Sequence, residues 1–294
     1  MIDNPNPRST IMIRFAFLFS VVFLVHSSLF ADVMPVPVSL RSTVSQEVGK
    51  TTIVIDYSRP NANGRELFGG LVPYGEVWRS GANQCTKLEA DTEVQIGGVN
   101  LPAGRYGFFA IPQESEWTII VNSDAEQFGA FSYDSEKDVL RFSADAKSSE
   151  EYVETLEFSF VDVANNAAVL ELRWGNTVVG FPVSVTEENN HRQMMKDIRK
   201  DVIEAGDPHW ANMGEAARYY VREDKDLEQA AVWYRKSLDQ NADAYWLSVE
   251  LANVLKTLGR VEEAKATLEA ALVTTKQLGD SQGIAWVEGQ ISQL

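Results

Sequence analysis

The sequence predicts an α+β chain in two parts, an N-terminal antiparallel β-sandwich of jelly-roll-like kind and a C-terminal array of helical repeats. Three observations predict it. From Thr51 to Val185, short segments rich in β-branched and aromatic residues recur between Gly, Pro, Asn and Asp. From Glu187 onward the apolar spacing turns helical. Beyond Pro208 the helical pattern repeats itself.

The chain opens with a targeting segment. Arg14, the apolar run Phe15 to Val25, and His26 to Ala31 before a polar start at Asp32 have the parts of a secretory signal. The apolar run is shorter than the ~20 residues that a bilayer span needs. Leu29 is larger than the small residue usual three before a cut, so the cleavage site is fixed only to a few residues. Either Met1 or Met12 is the start. No cysteine lies near Ala31, which argues against a lipid anchor. The expectation is an exported chain, periplasmic or extracellular, with residues 1–31 as signal and no later membrane span.

Of 294 residues, 26 are Lys or Arg and 42 are Asp or Glu. Taking away Arg8, Arg14 and Asp3 with the signal leaves 24 against 41, a net charge of −17. Such a field excludes nucleic acid and anionic lipid as partners bound by overall charge. The single cysteine, Cys85, cannot form an internal disulfide and reads as a small packed residue. Burial alone must hold the fold.

Within a β part of residues 32–185, eight to ten strands are expected from Thr51 to Val185. Thr51 to Tyr57 leads. Thr92 to Ile96 and Val99 to Leu101 flank Gly97-Gly98, a two-residue hairpin turn. Arg105 to Ile111, Trp117 to Asn122, Val139 to Ala144 and Tyr152 to Val163 follow, and Ala168 to Trp174 meets Thr177 to Val185 at Gly175-Asn176, a second hairpin signal. Residues 186–207 read as a linker helix with Met194, Met195, Ile198, Val202 and Ile203 on its apolar side. Its polar start, Thr186 to Arg192, has the composition of a protease-accessible junction. Asp207 as cap and Pro208 at the first helical position would open the next helix. Within 208–294, Ala230 and Ala264 stand 34 residues apart, with Tyr234 and Leu268, Ala217 and Leu251, and Val221 and Leu255 at the same offset. That is the tetratricopeptide spacing, with Gly259 at a turn and Asp280 to Leu294 as a terminal cap. A groove in such repeats binds a protein partner, or else the helices cover the β part. Tyr219, Tyr220, Trp233, Tyr234, Tyr245 and Trp246 are expected mostly between helices.

The most unusual stretch is Ser58 to Gly81, with five glycines, two prolines, the arginines 59, 65 and 79, and Phe68, Tyr74 and Trp78. A connection in a compact domain is typically about 4–6 residues, so this one is an ordered loop with a role. Arg59, Arg65, Tyr74, Trp78, Arg79 and Asn83 form the candidate binding site. Guanidinium forks pair with carboxylate, sulfate or phosphate, and aromatic walls suit sugars. The other reading is internal pairing to Glu66, Glu76 or Asp56 that pins the loop.

Gly64–Asn83 (GRELFGGLVPYGEVWRSGAN), Leu101–Pro112 (LPAGRYGFFAIP), Glu116–Asn122 (EWTIIVN), Tyr133–Phe142 (YDSEKDVLRF) and Leu156–Phe160 (LEFSF) resemble, in that order, the domain-of-unknown-function family 2911. The resemblance covers roughly residues 35–185. It implies an exported bacterial protein and supports the sheet boundary, and some relatives carry a helical, repeat-like C-terminal part. Cys85 stands where that family is expected to have a small residue such as alanine. No reaction is established for the family, so no catalytic residue follows from it.

Chemistry by metal or imidazole finds little footing. His26 leaves with the signal, and His191 and His209 fall in the helical half, so the β part has no histidine for a zinc site or for a Ser–His or Cys–His pair. Asp134 to Asp138 lacks the glycine and spacing of a calcium loop. No phosphate-binding glycine motif stands between a strand and a helix. No cofactor is expected. The leading expectation is a non-enzymatic binding protein, with an anionic or carbohydrate-like ligand on the β part and protein contacts on the helices. The alternative is a carboxylate-dependent hydrolase of envelope or imported polymer, because acidic residues are plentiful.

Overall fold

The computed structural model describes residues 38–294, and the signal segment lies outside them. Nine strands form one antiparallel sheet: β1 (Leu40–Val48), β2 (Thr51–Arg59), β3 (Thr86–Ala90), β4 (Val94–Ile96), β5 (Val99–Leu101), β6 (Gly104–Ile111), β7 (Glu116–Asn122), β8 (Asp138–Val161) and β9 (Ala167–Ser184). Their order across the sheet is β1-β2-β3-β6-β7-β8-β9-β4-β5.

The long strand β8 belongs to both halves of this sheet. Asp138 to Asp145 pairs with β7, and Ala146 to Val161 pairs with β9. Beyond that switch the sheet folds over on itself. Phe158 meets Tyr57 at 4.9 Å and Phe108 at 5.7 Å, and Phe108 stacks on Phe181 at 6.0 Å. The Tyr57 hydroxyl also accepts the backbone N–H of Phe158, stitching β2 to β8 at 3.0 Å. The two layers so formed enclose the main core. β2 and β9 alternate buried and half-buried residues, as strands with one covered face do. β6 and β7 are buried almost throughout, because the segment after β7 lays Tyr133 and Ala130 over Phe109, Ile120 and Cys85.

Two strand expectations change. The segments Val139 to Ala144 and Tyr152 to Val163 are one strand, β8, and Gly175-Asn176 is not a hairpin turn. β9 runs straight through Gly175, which takes φ +61° opposite Val153 at a shift in register. A glycine at positive φ fits a bulge as well as a turn. A Cβ there would also stand 2.7 Å from Leu67, so the bare backbone lets the long loop approach β9.

Six helices follow: α1 (Glu187–Ile198), α2 (Trp210–Arg222), α3 (Leu227–Gln240), α4 (Tyr245–Thr257), α5 (Val261–Leu278) and α6 (Ser281–Ile291). None is long and apolar enough to cross a membrane. Ile198 and Val202 are buried, the latter on a π-helical turn over Arg199–Ile203, whereas Ile203 is exposed. α2 starts later than expected. His209, not Asp207, is its cap, its Nδ1 accepting the Ala211 N–H at 3.2 Å. α6 begins at the cap Asp280, as its sequence predicts.

The repeat positions hold except at Val221, which is exposed while its counterpart Leu255 is buried. Ala230 and Ala264 are both 0% exposed, Gly259 turns α4 into α5 with φ +75°, and the paired positions Ala217 and Leu251 are buried. Tyr219, Trp233 and Tyr234 lie in the helical core, while Trp246 is exposed. Enlarging Ala230 or Ala264 to leucine should overpack a helix crossing and cost roughly 1–3 kcal/mol. Equilibrium denaturation of each variant checks this, and a loss under about 0.5 kcal/mol, the range of surface changes, would refute the crossing.

Residues 186–192 form no loose junction. Thr186 caps α1, and Asn189 is 1% exposed, its amide donating to Thr92 Oγ1 at 2.9 Å and to the Glu93 carbonyl at 2.8 Å. Asn190 Oδ1 accepts the Lys50 N–H at 2.8 Å, and Lys50 Nζ pairs with Asp197 at 2.5 Å. The polar residues that read as solvent-facing are spent on the sheet.

Candidate functional site

The loop from Pro60 to Cys85 closes one end of the folded sheet. Phe68 sits among Trp117, Trp78 and Trp174 at 4.6, 5.7 and 5.9 Å, with Val72 buried beside it. Aromatic edges against faces favour such packing. Trp78 exchanges both backbone hydrogen bonds with Ala110 of β6, at 2.7 and 2.9 Å, and its indole donates to the Gly81 carbonyl. After it the chain turns sharply. Ser80 and Asn83 take φ of +53° and +58°, and a Cβ on Gly81 would stand 3.0 Å from the Ser58 carbonyl. Non-glycine residues held in this region store strain, which clusters at functional sites.

Beside this turn lies a cavity of about 570 Å³. Trp78 and Trp174, stacked at 6.1 Å and 11°, form part of its wall with Arg65, Glu76 and Arg79, and the exposed Phe131 stands at its edge. Of the six residues expected to make the site, Arg65, Trp78 and Arg79 line this cavity. The other three serve the fold. Arg59 donates from Nε to the Leu156 carbonyl at 2.9 Å and pairs with Glu157 at 3.7 Å, joining β2 to β8. Asn83 ties Ser39 through its amide and accepts the Gly129 N–H on its carbonyl. Tyr74 covers Gly69, whose Cβ would stand 2.8 Å from the ring.

The expected internal partners are not the ones used. Asp56 is held by Arg41 through two bonds of 2.6 and 2.5 Å. Arg65 points its Nε and Nη2 at the carbonyls of Ala62 and Asn61, 2.9 and 2.5 Å away, curling back on its own turn. Arg79 differs from both. Its Nε is buried without a partner among the described residues, and so is the neighbouring Ser80 hydroxyl. Burial pulls the Arg79 guanidinium below its ordinary value, and no carboxylate opposes that pull.

Sequence reasoning missed Trp174, Phe131 and the part played by Glu76. Trp174 comes from β9, ninety-odd residues away, and its alternation reads simply as core.

Cys85 is buried, its thiol directed at the Ala125 carbonyl at 3.3 Å and pushed up by burial, so it is an inert packed residue. Asp138 accepts from Asn122, from Tyr133 at 2.6 Å and from Arg141 at 2.6 Å, and Tyr133 is pushed up to about 12, first by burial and then by that bond. The Asp134 to Asp138 segment is thus a capped 3₁₀ turn with the Asp134 and Asp138 carboxylates engaged.

On the helices, a groove of about 450 Å³ runs beside α2 and α4, where Arg218 grips Glu250 at 2.8 and 3.0 Å above Tyr234.

The order of blocks around the loop and the closed sheet agree with a known family. Residues 39–183 match the family described as protein of unknown function (DUF2911). Residues 221–278, from the end of α2 through α5, match the tetratricopeptide repeat, a type that mediates protein–protein contacts. No curated protein matches the chain. The DUF2911 region therefore contains the whole Arg79 cavity apart from Val38 at its edge.

Proposed function

We propose that this is an exported, periplasmic binding protein whose DUF2911 region takes an anionic or carbohydrate-like ligand at the Arg79 cavity, while its helical repeats contact a protein partner. The observation that carries the ligand reading is Arg79, a cation on a tryptophan-walled cavity with no partner of its own among the described residues. Buried polar groups are ordinarily satisfied, and an exception calls for a reason. Export rests on the Arg14 to Ala31 pattern, and the protein contact on the repeats. A hydrolase would need a second carboxylate facing the first, and among the described residues Glu76 is the one acidic residue lining the cavity.

The test separates Arg79 from its neighbour. Arg79→Met should melt at or above the wild-type temperature, because removing it strands no buried carboxylate. Arg65→Ala should cost about 1.5–3 kcal/mol, the worth of hydrogen bonds to a charged group. Thermal melts, repeated over a panel of acidic and neutral sugars and simple anions, read both points. A ligand-dependent rise in wild type that vanishes in Arg79→Met supports the reading. A large fall in melting temperature for Arg79→Met would make Arg79 a structural residue and remove the main support.

A further inference from the structure

Three exposed apolar side chains stand at the mouth of the Arg79 cavity. Val38 is 96% exposed, Phe131 87% and Leu71 43%, and all three line it. Tyr74 and Phe128, on the same two loops, are also exposed. Single exposed apolar side chains need no explanation, but a group of them around a concave site marks a binding surface. The interior continues that character with the Trp78 and Trp174 rings.

The charge within the cavity is small and defined. Among the described residues that line it, two arginines, 65 and 79, against one glutamate, 76, leave a single positive charge. Arg65 is already engaged with two carbonyls, so the guanidinium left to receive an anion is that of Arg79. Outside, the whole chain carries a net charge of −16. Such a field penalises each further negative charge on an incoming ligand, so a monoanion is favoured over a phosphate dianion. One guanidinium matches one planar carboxylate in shape as well as in charge. The volume, about 570 Å³, lies within the roughly 300–1,000 Å³ of small-molecule sites.

Resting on the anion-binding reading above, we infer that the Arg79 cavity binds a small carboxylic acid with an apolar body, its carboxylate on the Arg79 guanidinium and its body against Trp78, Trp174 and Phe131. A polar sugar acid would leave that apolar mouth uncovered.

Tryptophan fluorescence and calorimetric titration of the full mature chain test this with octanoate and 3-phenylpropionate. The controls are octanamide, octyl phosphate and glucuronate. The expected result is saturable binding of the two acids, at least tenfold weaker binding of octanamide, and loss of acid binding in Arg79→Met. Arg79→Lys, which keeps the charge without the fork, should retain weakened binding. Phe131→Ser, at an exposed position that holds no core, should weaken the acids severalfold and leave the melting temperature unchanged. If octyl phosphate or glucuronate binds through Arg79 and neither acid does, the apolar-carboxylate inference falls and the anion site stands. If octanamide binds as well as octanoate, the role of Arg79 falls. If no anion binds and Arg79→Met changes stability alone, both readings fall together.

Discussion

Replacing Trp174 with alanine is expected to destabilise the protein by about 3–5 kcal/mol, the range for removing a large aromatic side chain from a core. Trp174 is 1% exposed, stacks on Trp78, meets Phe68 edge-on at 5.9 Å and donates its indole N–H to the Glu154 carbonyl at 3.2 Å. It is therefore the β9 side of the contact that holds the long loop against the sheet. The void left behind would open directly into the Arg79 cavity, so water should enter it instead of the surroundings collapsing. The Glu154 carbonyl also loses one of its two donors and keeps the Ala62 N–H. At ~2–4 °C per kcal/mol for a domain of this size, the melting temperature should fall by roughly 6–20 °C. Trp174→Phe should recover part of the loss through the ring, but not the indole bond. Equal melting temperatures for wild type and Trp174→Ala would mean that the loop is held elsewhere, and the account of the cavity wall would be wrong.

Much of the fold was legible because its signals are local. The Gly97-Gly98 hairpin, the apolar runs of β6 and β7, and the 34-residue repeat each lie within one window of sequence. What escaped depends on distant partners. β1 reads LRSTVSQEV, too polar to announce a strand until β2 pairs with all of it. β3 hides behind Lys87, a 4% exposed lysine made tolerable by Glu126 at 2.6 Å. Gly175 looked like a turn because turn and bulge ask the same backbone freedom of glycine. The site follows the same rule. Three arginines in one loop were visible, yet which one stays free was not. Arg41 takes Asp56, and Glu157, from a strand 98 positions beyond Arg59, meets that residue. Arg65 turns to two backbone carbonyls, and Arg79 Nε is left without a partner among the described residues.

The same logic sets the behaviour of the junction between sheet and helices. Residues 186–192 carry a linker's composition, but Asn189 sits at the end of a buried hydrogen-bond line running from Thr51 Oγ1 to Thr92 Oγ1 at 2.5 Å and on to the Asn189 amide. Its other amide hydrogen serves the Glu93 carbonyl, and its own oxygen accepts from Arg192 and Gln193. Asn189→Ala should cost about 1–3 kcal/mol for each acceptor left buried without a donor. The loss falls on the attachment of α1, since Thr186 still caps that helix and the sheet keeps its own ladder. Two consequences should appear together. Wild type should resist limited proteolysis between Thr186 and Arg192, whereas Asn189→Ala should be cut there first. The thermal transition of the variant should also broaden or split, as the helices come away before the sheet melts. Disruption of the Lys50–Asp197 pair, which is 37% and 49% exposed, should do far less, within the 0–1 kcal/mol typical of surface ion pairs, about a third of the Asn189 effect or below. Rapid cleavage of the wild-type chain at 186–192 would show that these hydrogen bonds do not hold the junction, and that the polar sequence reads correctly as a free linker after all.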